Sequence, residues 1–176
     1  IRGGPGIGKT SFICYLIKER KFEPVFHLVE AGRGDPYLIA SNLWTQITKK
    51  YQIAREVPET YEKMKGSFPE LIKLVSEANS EENTKIEEPE KKKRLLILVD
   101  AIDQIESLTE GIEFFPRDLS KLENIYFIIT SRTDDEKLDA LMERIRQDNQ
   151  DVMGIASLEA FTDEEINELC SKQSFS

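Results

Sequence analysis

The run Gly3-Gly4-Pro5-Gly6-Ile7-Gly8-Lys9-Thr10 constrains this chain more than any other feature. Glycine enters backbone conformations closed to other residues, so a loop this bare can turn successive N–H groups inward and form a concave anion site. A helix is predicted directly behind it. From Thr10 to about Arg20, Phe12, Tyr15 and Leu16 fall at helical spacing, with Ile13 and Ile17 alongside and the charges gathered at the end. The first turn of such a helix adds unpaired N–H groups and the positive end of its dipole. Lys9 brings a charge that reaches outer phosphates, and the Thr10 hydroxyl suits a magnesium ion bridging them. The segment satisfies G-x-x-x-x-G-K-[ST] in full, so Gly3, Gly4, Pro5, Gly6, Ile7, Gly8, Lys9, Thr10 and Ser11 are the candidate nucleotide-binding residues. The competing reading is a flexible glycine-rich turn, against which the following helix argues.

Two later stretches end where a phosphate site needs help. "LLILVD" (95–100) is continuously apolar and ends in an acid, as a buried parallel strand emerging beside the phosphates would. Asp100 is the candidate magnesium-linked carboxylate, with Thr10 the other metal candidate. Asp103, three residues on, is placed to orient or deprotonate an attacking water if the loop turns back. "IYFIITSR" (125–132) is built alike, and its Arg132 is a candidate γ-phosphate contact, since a guanidinium binds phosphate oxygens in a planar fork. Taken singly, an acid closing a strand is often a turn residue, and such an arginine often bridges surface carboxylates. Lys9, Asp103 and Arg132 are the candidate catalytic set.

Between these landmarks, "VFHLVE" (25–30) reads as a buried strand and "AGRGDP" as a loop. Tyr37 to Tyr51 is predicted to be an amphipathic helix facing the sheet through Leu38, Ile39, Leu43, Trp44 and Ile47. A shorter helix is predicted over Phe68–Ala78, with Ser67 as its cap and Pro69 in its first turn. Residues 77–94 carry six acidic and five basic side chains with scarcely an apolar one, and the expectation is a solvated, mobile loop. "DDEKLDALMERIRQDN" (134–149) supplies another amphipathic helix, and Thr162 with Glu165 forms a capping box for a last one. Strands alternating with helices imply an α/β sandwich.

Composition narrows the function classes. A chain of 176 residues with 39% hydrophobic and 32% charged residues fits one ordinary folded domain, and no apolar run approaches the ~20 residues of a membrane span. No leader-like segment opens it, so a cytoplasmic setting and no membrane partner are expected. The net charge of −9 disfavours nucleic acid as a partner. Cys14 and Cys170 match no zinc spacing and read as reduced thiols, and the lone His27, set in an apolar stretch, reads as a structural histidine.

Taken together, "GGPGIGKT" as a Walker A loop, "LLILVDAID" as a Walker B strand and "IITSR" as a sensor strand resemble the signal-transducing P-loop ATPases with numerous domains (the STAND class), and among them the NACHT-type modules. The resemblance implies a three-layer α/β/α P-loop NTPase fold with a mainly parallel sheet in the ASCE-type order 5-1-4-3-2. It implies ATP/ADP and Mg2+ as ligands, and a switch whose nucleotide state controls self-association of a larger signalling protein. On this reading residues 1–160 are the core, its first strand largely missing, and 161–176 begin a helical connection to a downstream domain. Ala101 stands where the family usually has glycine and Gln104 where an acid is common, so binding is implied more firmly than hydrolysis. A P-loop GTPase would need an Asn-Lys-x-Asp or Thr-Lys-x-Asp segment, which the chain lacks. A non-hydrolysing nucleotide-bound scaffold and a DNA-associated ATPase are the alternatives from other classes.

Overall fold

Each apolar run makes a strand in the computed structural model, which describes residues 1–18, 23–105, 112–132, 143, 146–147, 149, 152, 154–159, 162 and 164–165. β1 (Val25–Leu28), β2 (Leu95–Asp100) and β3 (Ile125–Ile129) pair in parallel in the order β1-β2-β3. Val25 stands opposite Ile97, and Ile97 opposite Phe127. Three helices precede or join these strands: α1 (Lys9–Lys18), α2 (Pro36–Lys50) and α3 (Tyr61–Asn83). The fold is α/β with a parallel sheet, as expected.

The strand pleat sorts the core. Val25, Leu95, Ile97, Val99 and Ile125 join the inner faces of α2 and α3 in one apolar cluster that contains Trp44, the predicted core residue of α2. Leu98, between two members of that cluster, points to the other face of the sheet and is also fully buried. α1 packs against β2 and buries Ile13, whereas Phe12 and Tyr15, which fall at helical spacing, are 37% and 58% exposed. Beyond β1 the sheet edge is closed by a side chain. Gln46 of α2 accepts the Phe26 N–H at 3.0 Å and donates to the Phe26 carbonyl at 2.8 Å, as a neighbouring strand would.

On the far side of β3, the first two residues behave as strand. Ile1 donates its amino group to the Ile129 carbonyl at 2.7 Å and accepts the Ser131 N–H at 3.0 Å. Arg2 bridges in parallel to Ser131 on one side and Ser157 on the other. The loop Gly3–Gly8 therefore leaves the sheet beside the end of β3.

Two predicted boundaries are corrected. The helix expected over Phe68–Ala78 runs from Tyr61 to Asn83, capped by Thr60, whose side chain accepts the Lys63 N–H. Met64, Phe68, Leu71, Ile72 and Val75 form one fully buried stripe along it. At ~1.5–3 kcal/mol per buried side chain, the stripe outweighs the ~3 kcal/mol that Pro69 costs inside a helix. Residues 77–94 are likewise not one loop. Their first part continues α3, and a 3-10 turn forms at Pro89–Lys91. Buried polar residues hold this region: Asn79 donates to the Tyr51 hydroxyl at 3.1 Å, and Asn83 pairs both ways with the Lys93 backbone at 2.9 and 2.6 Å. The charges that suggested a solvated loop pair locally, Lys93 with Glu82 and Lys91 with Glu88. The helix expected over 134–149 lies largely outside the described residues. The capping box is present: Thr162 N–H donates to Glu165 at 2.8 Å and Glu165 N–H donates to the Thr162 hydroxyl at 3.2 Å. No helix among the described residues is long and apolar enough to cross a membrane.

Candidate functional site

Parallel strands present their C-terminal ends on one edge, and every predicted site residue follows such an end. Gly3 leaves the Ile1–Arg2 segment and is packed so closely that an added Cβ would lie 2.8 Å from Ile7 Cγ2 and 2.9 Å from the Leu158 carbonyl oxygen. Gly6 and Gly8 adopt φ of 76° and 98°, values that favour glycine, and so close the loop around Ile7. The helix starts at once, with Phe12 N–H donating to the Gly8 carbonyl at 2.9 Å. Lys9, Thr10 and Ser11 form its first turn, whose N–H groups lack partners further back along the helix. Lys9 Nζ folds over the loop and donates to the Gly3 and Gly4 carbonyls at 2.7 and 2.8 Å.

The second strand end meets the first. Thr10 Oγ1 donates to Asp100 Oδ2 at 2.7 Å, joining residues ninety positions apart. Asp100 is 4% exposed, and its other oxygen accepts the hydroxyl of Thr130, which is fully buried at the end of β3. Thr130 Oγ1 in turn accepts the Ala101 N–H at 2.9 Å. One hydroxyl thus ties the ends of β2 and β3 together and orients the Asp100 carboxylate. A hydroxyl and a carboxylate this close are hard oxygen donors of the kind magnesium prefers. Among the described residues no group of three or more His, Cys, Asp or Glu gathers, and a phosphate-bound magnesium needs none, because phosphates and water fill most of its shell.

Ala101 is the first residue beyond β2 and adopts φ 58°, ψ 48°. This left-handed conformation costs an alanine ~1–2 kcal/mol and would suit glycine. The reversal feeds a 3-10 turn at Ile102–Gln104 and aims the chain back toward β3. Asp103 consequently meets the third strand end. Its Oδ1 accepts the Arg132 N–H at 3.1 Å, and its Oδ2 lies 3.4 Å from Arg132 Nε. Gln104 Nε2 donates to the same Oδ2 at 2.6 Å.

The structure therefore joins Thr10 to Asp100 and, separately, Asp103 to Arg132, with Lys9 and the glycine loop adjoining Thr10 along the chain. Two participants carried no signal of their own in the sequence. Thr130 was one of three polar residues closing a strand, and only the register places its hydroxyl on Asp100. Gly34, read as loop, bridges Ile105 so tightly that a Cβ would stand 2.3 Å from the Gln104 carbonyl oxygen and 2.6 Å from Ile105 Cα. It seats the loop that carries Asp103. Comparison of the chain with family models, curated proteins and solved structures returns no match.

Proposed function

We propose that the glycine loop binds a nucleoside triphosphate, ATP with Mg2+, and that the domain is a slow ATPase switch of the STAND/NACHT kind. The observation that carries this reading is the Thr10–Asp100 hydrogen bond of 2.7 Å, because it joins the loop's metal-binding hydroxyl to the strand-end acid that a magnesium–triphosphate site requires. In this reading the Gly3–Ser11 backbone cradles the β and γ phosphates, and Lys9 exchanges its two carbonyl partners for phosphate oxygens. Thr10 and Asp100 would hold the metal, and Arg132 would meet the γ phosphate. ADP is the alternate ligand. Loss of Asp103 is expected to slow turnover.

The five-strand order 5-1-4-3-2 is part of the proposal. The bridges from Arg2 to Ser131 and to Ser157 support it, since they set the Ile1–Arg2 segment between β3 and residue 157. Ile13 and Leu98, buried away from the α2/α3 cluster, support a three-layer sandwich. Self-association within a larger parent protein, and a cytoplasmic setting, rest on the motif resemblance and are proposed with it.

A second reading, in which nucleotide is bound but not turned over, is favoured by one observation: both Asp103 oxygens already accept hydrogen bonds. Phosphate release by the purified protein separates the two readings. The test of binding is thermodynamic. Magnesium ATP at 100 times its dissociation constant stabilises the fold by about 2.7 kcal/mol, and Lys9→Ala removes most of that gain. An equal gain in the variant overturns the assignment.

A further inference from the structure

We propose that Asp103 is a positioning residue for Arg132, setting the guanidinium for a third phosphate instead of taking a proton from water. The inference rests on the glycine loop being a triphosphate site. Asp103 is nearly closed to solvent, its side chain 5% exposed, while that of Arg132 is 55% exposed. A general base needs a free oxygen within reach of the proton it takes. Asp103 has little to spare: Oδ1 holds the Arg132 N–H at 3.1 Å, and Oδ2 accepts from Gln104 at 2.6 Å and lies 3.4 Å from Arg132 Nε.

The same contacts suit positioning. An arginine has five N–H donors in a rigid fork, and a carboxylate that engages it through Nε leaves Nη1 and Nη2 for a second anion. The backbone bond fixes the Arg132 main chain as well, so one carboxylate sets both the root and the neck of the side chain. Gln104 is the neutral donor that steadies Asp103 without a second negative charge beside it. The pair also lies on the two strand ends that Thr130 welds together, so the arginine is referenced to Asp100.

The experiment is calorimetric titration of the purified protein, Asp103→Ala, Asp103→Asn, Arg132→Ala and the double variant Asp103→Ala/Arg132→Ala. The titrants are magnesium ADP and a magnesium complex of a non-hydrolysable ATP analogue. The unaltered protein is expected to prefer the triphosphate, and Asp103→Ala to lower that preference about tenfold or more, the scale of one hydrogen bond to a charged group. Asp103→Asn keeps an acceptor for the Arg132 N–H and is expected to retain part of it. The double variant is expected to match Arg132→Ala alone. The sign is diagnostic, because removing a negative charge near a triphosphate strengthens triphosphate binding by Coulomb's law if nothing else changes. An unchanged or increased preference in both Asp103 variants, or fully additive losses in the double variant, overturns the inference while leaving the nucleotide site intact. Absence of any nucleotide binding by the unaltered protein overturns the proposed function and the inference with it.

Discussion

The hydroxyl of Thr130 gives the sharpest stability test of the site's construction. Replacing it by valine keeps the shape and exchanges the hydroxyl for a methyl group. Two groups then lose a partner: an oxygen of Asp100, which is 4% exposed, and the N–H of Ala101. Losing a hydrogen bond to a carboxylate costs ~1.5–3 kcal/mol, and an orphaned buried N–H ~1–3 kcal/mol. The added methyl returns ~1 kcal/mol, so the net loss is about 1.5–5 kcal/mol, a large part of the 5–15 kcal/mol typical of a whole domain. Thr130→Ser makes the opposite exchange. It keeps the hydroxyl, gives up a methyl in a fully buried place, and costs ~1 kcal/mol. Urea denaturation of the two variants with the unaltered protein gives the comparison through midpoints at constant slope. On burial alone valine is the milder change; on the hydrogen bonds it is the harsher. A valine variant as stable as the serine one refutes the claim that Thr130 orients Asp100.

Two further outcomes follow from the same edge of the sheet. Gly34→Ala places a Cβ 2.3 Å from a carbonyl oxygen and 2.6 Å from a Cα, so backbone must part, and the expected loss is about 2 kcal/mol in urea denaturation, on the scale of overpacking. Gly32→Ala, where φ is 75° and nothing crowds the new atom, is expected to cost about 1 kcal/mol from backbone strain alone, and the reverse ranking refutes the packing argument. His27 is half-buried on β1, and burial lowers its pKa against a smaller opposing pull from Glu30. With the folded pKa depressed, the unfolded chain binds the extra proton more readily, so stability falls as pH drops below the ordinary histidine value of about 6.5. His27→Gln is expected to flatten the slope of the unfolding midpoint between about pH 7.5 and 5.5, and parallel slopes in the two proteins contradict the assignment.

How much of this was legible in the sequence depended on how local each cause is. The glycine loop carries its own reason within a few residues, because positive φ at Gly6 and Gly8 and the helix start at Lys9 need no distant partner. The strands were legible because an apolar run with both faces covered has one simple reading. The end of α3 beyond Ala78 was not, since its order comes from Asn79 and Asn83 bonded to the Tyr51 hydroxyl and the Lys93 backbone. Such residues look, one at a time, like those of a solvated loop.

The candidate site follows the same rule and adds a constraint. Its residues were legible strand end by strand end, but the bonds that assemble it, Thr10 to Asp100, Asp100 to Thr130 and Asp103 to Arg132, all join distant segments. What aligns them is the register that sets Val99 against Ile129. A slip of one residue there turns every inward side chain of β3 outward and carries Thr130 away from Asp100. The side chains that enforce the register are Leu95, Ile97, Val99 and Ile125, buried in the cluster with α2 and α3. The spacing of the polar tips is thus set by apolar side chains buried on the core face of the sheet, and the core packing and the site geometry are properties of one alignment.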